Sequence, residues 1–306
     1  MDRIRSIVVP TDFSALAEAA AVRAANLARL EGAQVHLVHA VAVPLVADPY
    51  GSSLPTHLGE LWEALRQAAQ EQLEQTRKTI EAKGVAVTTQ VSDSLDPVGS
   101  IAEAVRLHSA DLIVMGTHGR RGLQRAFLGS VTERALSTLD RPILAVKEES
   151  AVAAKPISKI VLAVDFSPHS DRAVEAAASL AARLSASVDV VHAFDLPADY
   201  NPYLSAAGTE VERKIESNIL GRLEAIREQL GQRDIRVHTH FRRGHPDTVI
   251  TDLATQIGCQ LIVMGTRGLT GLEHVLLGSV AERTLRMAPC SVLCVKAPAS
   301  SRSPIR

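Results

Sequence analysis

Cysteine is scarce: three residues in 306, at 259, 290 and 294. An odd number confined to one half of the chain builds no disulfide framework and points to a reducing compartment. Aromatic residues are 3% of the chain, too few for the stacking platforms that single-stranded nucleic acids need. Charge of one sign is also lacking. Lys and Arg number 33 against 34 Asp and Glu, a formal net charge of −1. Nothing in that balance draws the chain to nucleic acid or to an anionic membrane. No apolar run reaches the length of a bilayer span. The apolar run at 7–9 is too short for a signal-peptide core, and Asp12 follows at once. No Gly-Lys-Ser or Gly-Lys-Thr occurs, so there is no Walker A loop. These absences lead us to expect a soluble cytoplasmic protein with neither nucleic-acid nor membrane partners.

What is present is apolar and repeated. Hydrophobic residues make up 46% of the chain, enough for well-filled cores. Residues 111–134, DLIVMGTHGRRGLQRAFLGSVTER, recur at 260–283 as QLIVMGTRGLTGLEHVLLGSVAER. Gly116 thus matches Gly265 and Gly129 matches Gly278, an offset of 149 (265 minus 116). Nearer the start of each half, Asp12 matches Asp165, and VHLVHA from Val35 matches VDVVHA from Val188. So long a period means two whole domains, not a solenoid. The boundaries expected are 1–148 and 157–297, with a linker at 149–156 and a Pro/Ser-rich tail at 298–306.

Within the first half, patterning predicts strands at 7–10, 35–40, 85–91, 112–115 and 143–146. Helices are predicted between them at 15–30, 58–83, 97–109 and 130–139. The second half repeats this order. Strictly alternating strands and helices give a doubly wound α/β sheet, which binds ligands beyond the carboxyl ends of its strands.

The glycines carry the most chemistry. Gly116-x-x-Gly119, nine residues, then Gly129-Ser130 is matched by Gly265-x-x-Gly268, nine residues, then Gly278-Ser279. Each array runs from an apolar strand to a helix start. Glycine lets a ligand approach the backbone, and a helix N-terminus offers free N–H groups and partial positive charge. The serines have a second use, since Ser130-x-x-Glu133 and Ser279-x-x-Glu282 are also capping boxes. Asp12 and Asp165 likewise fit either a ligand hydroxyl or a helix cap. Arg120, Arg121, Arg125 and His118 in one loop, and Arg267 and His274 in the other, fit a solvated face or a phosphate. His238-x-His240 reads as part of an exposed edge strand, and Cys290 and Cys294 as buried thiols on one face of the last strand.

Both halves resemble the universal stress protein family in its ATP-binding, tandem form. The motif G-x2-G-x9-G-[S/T] is matched in full twice, with the leading strand and its aspartate, the Val-His end of strand two and the PxLxV-like last strand at 142–146. The resemblance implies two tandem Rossmann-like domains of the adenine nucleotide alpha hydrolase-like kind, each a five-stranded parallel sheet flanked by helices. It implies ATP as ligand, with magnesium. Asp12 and Asp165 would meet the ribose, and the backbone of Val38 and Val191 the adenine edge. Gly116, Gly119, Gly129, Ser130, Val131 and Thr132 would hold ribose and phosphates, as would Gly265, Gly268, Gly278, Ser279 and Val280. Thr132 and Thr11 face Ala281 and Val164 in the second half, so the first site is expected to be the tighter.

The expected role is a nucleotide-dependent stress-response regulator with no catalytic residues, acting on a protein partner that the sequence does not name. The alternatives are a slow ATPase or nucleotidyl transferase on the same fold, or a scaffold that binds no nucleotide. The apolar last strands are expected to pair into an intramolecular pseudo-dimer around Leu144, Val146, Leu293 and Val295. A homodimer would then use another surface.

Overall fold

The structure, a computed structural model, describes residues 3–41, 54–118, 128–147, 150–195, 206–266 and 277–296. The first half runs β1 (Ser6–Pro10), α1 (Ala15–Glu31), β2 (Gln34–Ala40), α2 (Leu54–Glu81), β3 (Val87–Ser92), α3 (Pro97–Leu107), β4 (Leu112–Gly116), α4 (Ser130–Thr138) and β5 (Ile143–Val146). A short helix, α5 (Ser150–Ala153), follows. The second half repeats the order as β6 (Lys159–Ala163), α6 (Pro168–Leu184), β7 (Ser187–Phe194), α7 (Ala206–Gly231), β8 (Val237–Arg243), α8 (Pro246–Ile257), β9 (Leu261–Gly265), α9 (Ser279–Met287) and β10 (Ser291–Val295).

Local chemistry sets these limits. Ser14 caps α1 by accepting from the Ala17 N–H, and Gly32 ends it with φ 67°. Asp96 caps α3, with Pro97 in its first turn, where a missing N–H costs nothing.

The strands form one ten-stranded sheet in the order β3-β2-β1-β4-β5-β10-β9-β6-β7-β8. Neighbours are parallel within each half. Helices α1, α2, α5, α6 and α7 cover one face of the sheet, in a core that runs across both halves. Helices α3, α4, α8 and α9 cover the other. Leu112 and Val114 of β4 enter the first core, Ile113 and Met115 the second. Burial on both faces is why this strand is apolar at successive positions rather than alternating.

The halves meet where β5 pairs antiparallel with β10, with Leu144 opposite Leu293, Ala145 opposite Val292 and Ile143 opposite Cys294. Leu144 and Leu293 are equivalent in the duplication, so a local two-fold axis passes between them. Of the four residues expected at the junction, Leu144 and Leu293 pair, and with Val146 and Val295 they enter the first core. Ile143, Ala145, Val292 and Cys294 enter the second, because a strand inside a sheet buries both faces. The lysine after each closing strand reaches the other half. Lys147 Nζ donates to Arg286 O at 2.6 Å, and Lys296 Nζ donates to Leu139 O. Each ammonium thereby meets the negative end of the partner helix. On the opposite face, Arg183 of α6 lies 2.7 Å from the buried Glu31 carboxylate of α1.

The segment read as a plain linker is more than a spacer. Arg23 of α1, only 2% exposed, donates to Lys155 O at 2.8 Å and to Val152 O at 3.4 Å. Asn26 donates to the carbonyls of Ala153 and Ala154. These bonds satisfy the end of α5 against α1. The residue of α6 equivalent to Arg23 is Ala176, which is buried without any such task.

Two measurable consequences follow from this packing. Aspartate at both Leu144 and Leu293 should destabilise the chain by at least about 3 kcal/mol per site and enlarge its radius in small-angle scattering. A compact, equally stable double variant contradicts the seam. The second concerns His36, which is buried, bonded to Thr88 Oγ1 at 2.7 Å and stacked on His108 at 3.7 Å. Burial, and then the charge of His108, pushes its pKa down to about 4. Folding thus favours the neutral ring. The associated stability is complete above the unfolded value near 6.5 and is lost as pH falls from there towards 4. Its size is about 2–3 kcal/mol. Urea midpoints between pH 7 and 4 should fall more steeply in the parent than in His36→Gln; parallel slopes refute the assignment.

Candidate functional site

Two clefts open at the carboxyl ends of the strands, one per half. The first has a volume of about 780 Å³ and is walled by the ends of β1, β2 and β4, the start of α4 and one side of α2. Small-molecule sites commonly have such a size. The second, of about 160 Å³, is walled by the equivalent ends of β6, β7 and β9 and the start of α9.

Asp12 and Asp165 lie in these walls. They are not the helix caps. Ser14 and Ser167 cap α1 and α6, and each aspartate accepts the N–H of that serine, at 3.1 and 3.0 Å. The residue after each aspartate is a phenylalanine at φ 62°, Phe13 and Phe166. A bulky residue in the left-handed region costs about 1–3 kcal/mol and persists only where its surroundings enforce it. Here a histidine does so. The Phe13 ring packs on His39 at 4.4 Å and the Phe166 ring on His192 at 4.6 Å. The Nδ1 atoms of His39 and His192 lie 2.8 Å from the carbonyls of Thr11 and Val164. A carbonyl only accepts, so each Nδ1 carries the proton. Burial lowers the His192 pKa, in keeping with a neutral ring. This strained turn occurs twice, and it turns each aspartate towards its cleft.

The glycines divide by task. A Cβ on Gly116 would meet Leu16 of α1 at 3.0–3.2 Å, and one on Gly265 would meet His169 of α6 at 3.1–3.2 Å. Close helix packing is enough to require both. Gly129 N–H donates to Thr117 O at 2.7 Å and Gly278 N–H to Thr266 O at 2.8 Å, tying the two ends of each loop together. Gly119, Gly268, Arg120, Arg121, Arg125, Arg267 and His274 lie outside the described residues.

The capping-box alternative for the serines does not hold. The N-caps of α4 and α9 are Gly129 and Gly278, without a side-chain cap bond. Ser130 and Ser279 are the first helical residues and are exposed. The first intrahelical bonds run from Glu133 N–H to Gly129 O and from Glu282 N–H to Gly278 O. The N–H groups of Ser130, Val131 and Thr132, and of Ser279, Val280 and Ala281, therefore have no acceptor within their helices.

Val38 and Val191 sit in the cleft floors, but their carbonyls accept from Thr11 N–H at 2.9 Å and Val164 N–H at 3.0 Å. The main-chain groups of β2 alternate sides. Val35 and Val41 donate towards β3, whereas Gln34 and Val38 bond towards β1. By that alternation Ala40 faces the β1 side, beyond the last β1 pair, Pro10 with Val38. Its N–H and C=O therefore point into the cleft, and Ala193 repeats the placement beyond Ala163 and Val191. The sequence reading passed over both alanines, because finding them requires the residue at which β1 ends.

The two threonines expected to favour the first site both line its cleft and also serve the fold. Thr132 is 3% exposed and donates to Gly116 O at 2.9 Å. Thr11 Oγ1 accepts the N–H of the strained Phe13 at 3.0 Å. Thr132 thus commits its hydroxyl proton to the fold, whereas Thr11, accepting here, still has a proton to donate. His238 and His240 are engaged as well, at 3.6 and 2.7 Å from Asp189. Among the described residues no group of three His, Cys, Asp or Glu side chains could hold a metal ion. Thr132→Ala should cost about 1–2 kcal/mol of stability and shift ligand affinity by less than about twofold. A tenfold loss of affinity, measured by calorimetry, would put its hydroxyl on the ligand after all.

Comparison with known proteins agrees with this architecture. The profile of the Universal stress protein family matches residues 3–147 and again 156–296. A universal stress protein of Mycolicibacterium smegmatis is 28% identical over 295 residues, covering 95% of this chain and 96% of the relative. One from Methanocaldococcus jannaschii is 37% identical over 145 residues, 47% of this chain and 82% of its own. The crystal structure of a universal stress protein from Archaeoglobus fulgidus shares the fold, with a TM-score of 0.71 at 22% identity, covering 95% of this chain and 98% of that one. Among the described residues no helix is long and apolar enough to cross a membrane. With the family profile matched once in each half, the chain belongs to the universal stress protein family, as two tandem domains.

Proposed function

We propose that the two clefts bind ATP, accompanied by magnesium, and that the protein acts as a nucleotide-dependent stress-response regulator. The observation that carries this reading is the start of α4 at Gly129. It leaves three N–H groups and the Ser130 hydroxyl at a helix N-terminus, where an anion is favoured. Across the cleft, Asp12 supplies an acceptor suited to ribose hydroxyls and Ala40 a main-chain donor and acceptor suited to an adenine edge. Magnesium bound through phosphates and water needs no protein cage, so the residues present fit it. Occupancy would change the surface around each cleft, which a regulatory protein partner could read. Because β5 and β10 satisfy each other, a homodimer would form through another surface.

A side chain in the first cleft gives the slow-ATPase alternative its footing. His118 lies in the wall, and burial, then Lys147, holds its pKa below the ordinary value, so the neutral ring can accept a proton.

The test uses Ser130→Asp and Ser279→Asp. Acid in a first helical turn suits the helix dipole, so folding is unharmed or improved, while it repels phosphate. Calorimetry with magnesium and ATP should show binding weakened about ten- to a hundredfold at the altered cleft. Unchanged affinity and stoichiometry in the double variant would falsify the assignment. Release of many phosphates per chain, lost in His118→Asn, would move the protein to the enzyme class.

A further inference from the structure

The sheet brings together two thiols far apart in sequence. Cys259 stands just before β9 and Cys290 just before β10, on neighbouring parallel strands. Their sulfurs are 3.4 Å apart and neither is in a disulfide. The halves differ here at both partners at once: the positions equivalent to Cys259 and Cys290 are Ala110 and Arg141. The pair therefore belongs to the second half alone. Both residues are buried, at 7% and 6% exposure, but less completely than Cys294. The antiparallel seam sets the N-terminal end of β10 beside the C-terminal end of β5. This brings Lys147, which follows β5, into the electrostatic neighbourhood of Cys290. A thiol with a cation in its electrostatic neighbourhood and a second sulfur in contact has the setting of reactive cysteines. The hydrogen bond with Cys290 also holds the Cys259 thiol below its ordinary pKa. Cys294 is the internal contrast. It is 1% exposed, and burial pushes its pKa up to about 12.

We propose that Cys259 and Cys290 are an oxidation site at which a hydroperoxide closes a reversible disulfide. The Cys259 thiolate attacks the peroxide oxygen, breaking the O–O bond to give a sulfenic acid and hydroxide, which takes up a proton to become water. The Cys290 sulfur then attacks the sulfenic sulfur. The S–S bond forms, and the hydroxyl leaves as a second water with the Cys290 proton. Two thiols and one hydrogen peroxide thus give one disulfide and two waters. The site lies away from the second cleft, at the opposite end of its strands, and at the junction of the halves.

The test treats the full chain with dilute hydrogen peroxide and follows its intact mass. The expected product is lighter by about 2 Da, the two hydrogens lost on disulfide formation, and a dithiol restores the parent. Tryptic digestion should then yield residues 244–267 joined to 287–296. The second peptide also carries Cys294, so Cys294→Ser must keep the joined product, while Cys259→Ala and Cys290→Ala must lose it. The digest of the unaltered chain answers the question even if an alanine variant folds poorly. A chain that only gains oxygen, that stays unmodified, or that loses the joined product in Cys294→Ser overturns the proposal.

Discussion

The antiparallel pairing of β5 with β10 is the contact on which the rest of the molecule depends. Each half alone is a five-stranded sheet ending in an apolar strand with one unpaired edge, a liability in water. Pairing satisfies both edges at once and continues both cores across the junction, so helices of the two halves share the same layers. Because the pairing is antiparallel, the cleft end of one half lies beside the base of the other. That reversal lets Lys147 and Lys296 cross to the far helices and puts Lys147 within electrostatic range of Cys290. A parallel junction would have offered neither.

Attachment through a docked linker strengthens this arrangement. Arg23 is buried where the duplicated helix has alanine. Its bonds to the carbonyls at 152 and 155 hold α5 on α1. A short tether held in place raises the effective concentration of one half for the other. The two domains thus behave in the fold as one body with a local two-fold axis, although the side chains around that axis have diverged.

The clefts owe their chemistry to main chain more than to side chains. Strained phenylalanines aim the aspartates, loop ends are tied by Gly129 and Gly278, and helix starts at these glycines leave the serines exposed. Thr132, which looks like a ligand from its type alone, donates its hydroxyl proton to a neighbouring peptide carbonyl. A hydroxyl near a site is available to a ligand only when no buried main-chain group claims it first.

The duplication, the alternation of strands and helices, and the glycine arrays were legible in the chain, because periodicity and punctuation are properties of local sequence. They determined the α/β class, the two domains, the position of the clefts and the family. Which group does what at those clefts was not legible. Whether Ser130 or Gly129 caps α4 depends on where the loop is tied, and whether Val38 or Ala40 shows its backbone to the cleft depends on where β1 stops pairing. The closeness of Cys259 to Cys290 depends on β9 lying next to β10. Composition and spacing fix which elements form, but contacts between residues remote in sequence are set by strand order and register, and these were decided only when the whole sheet assembled.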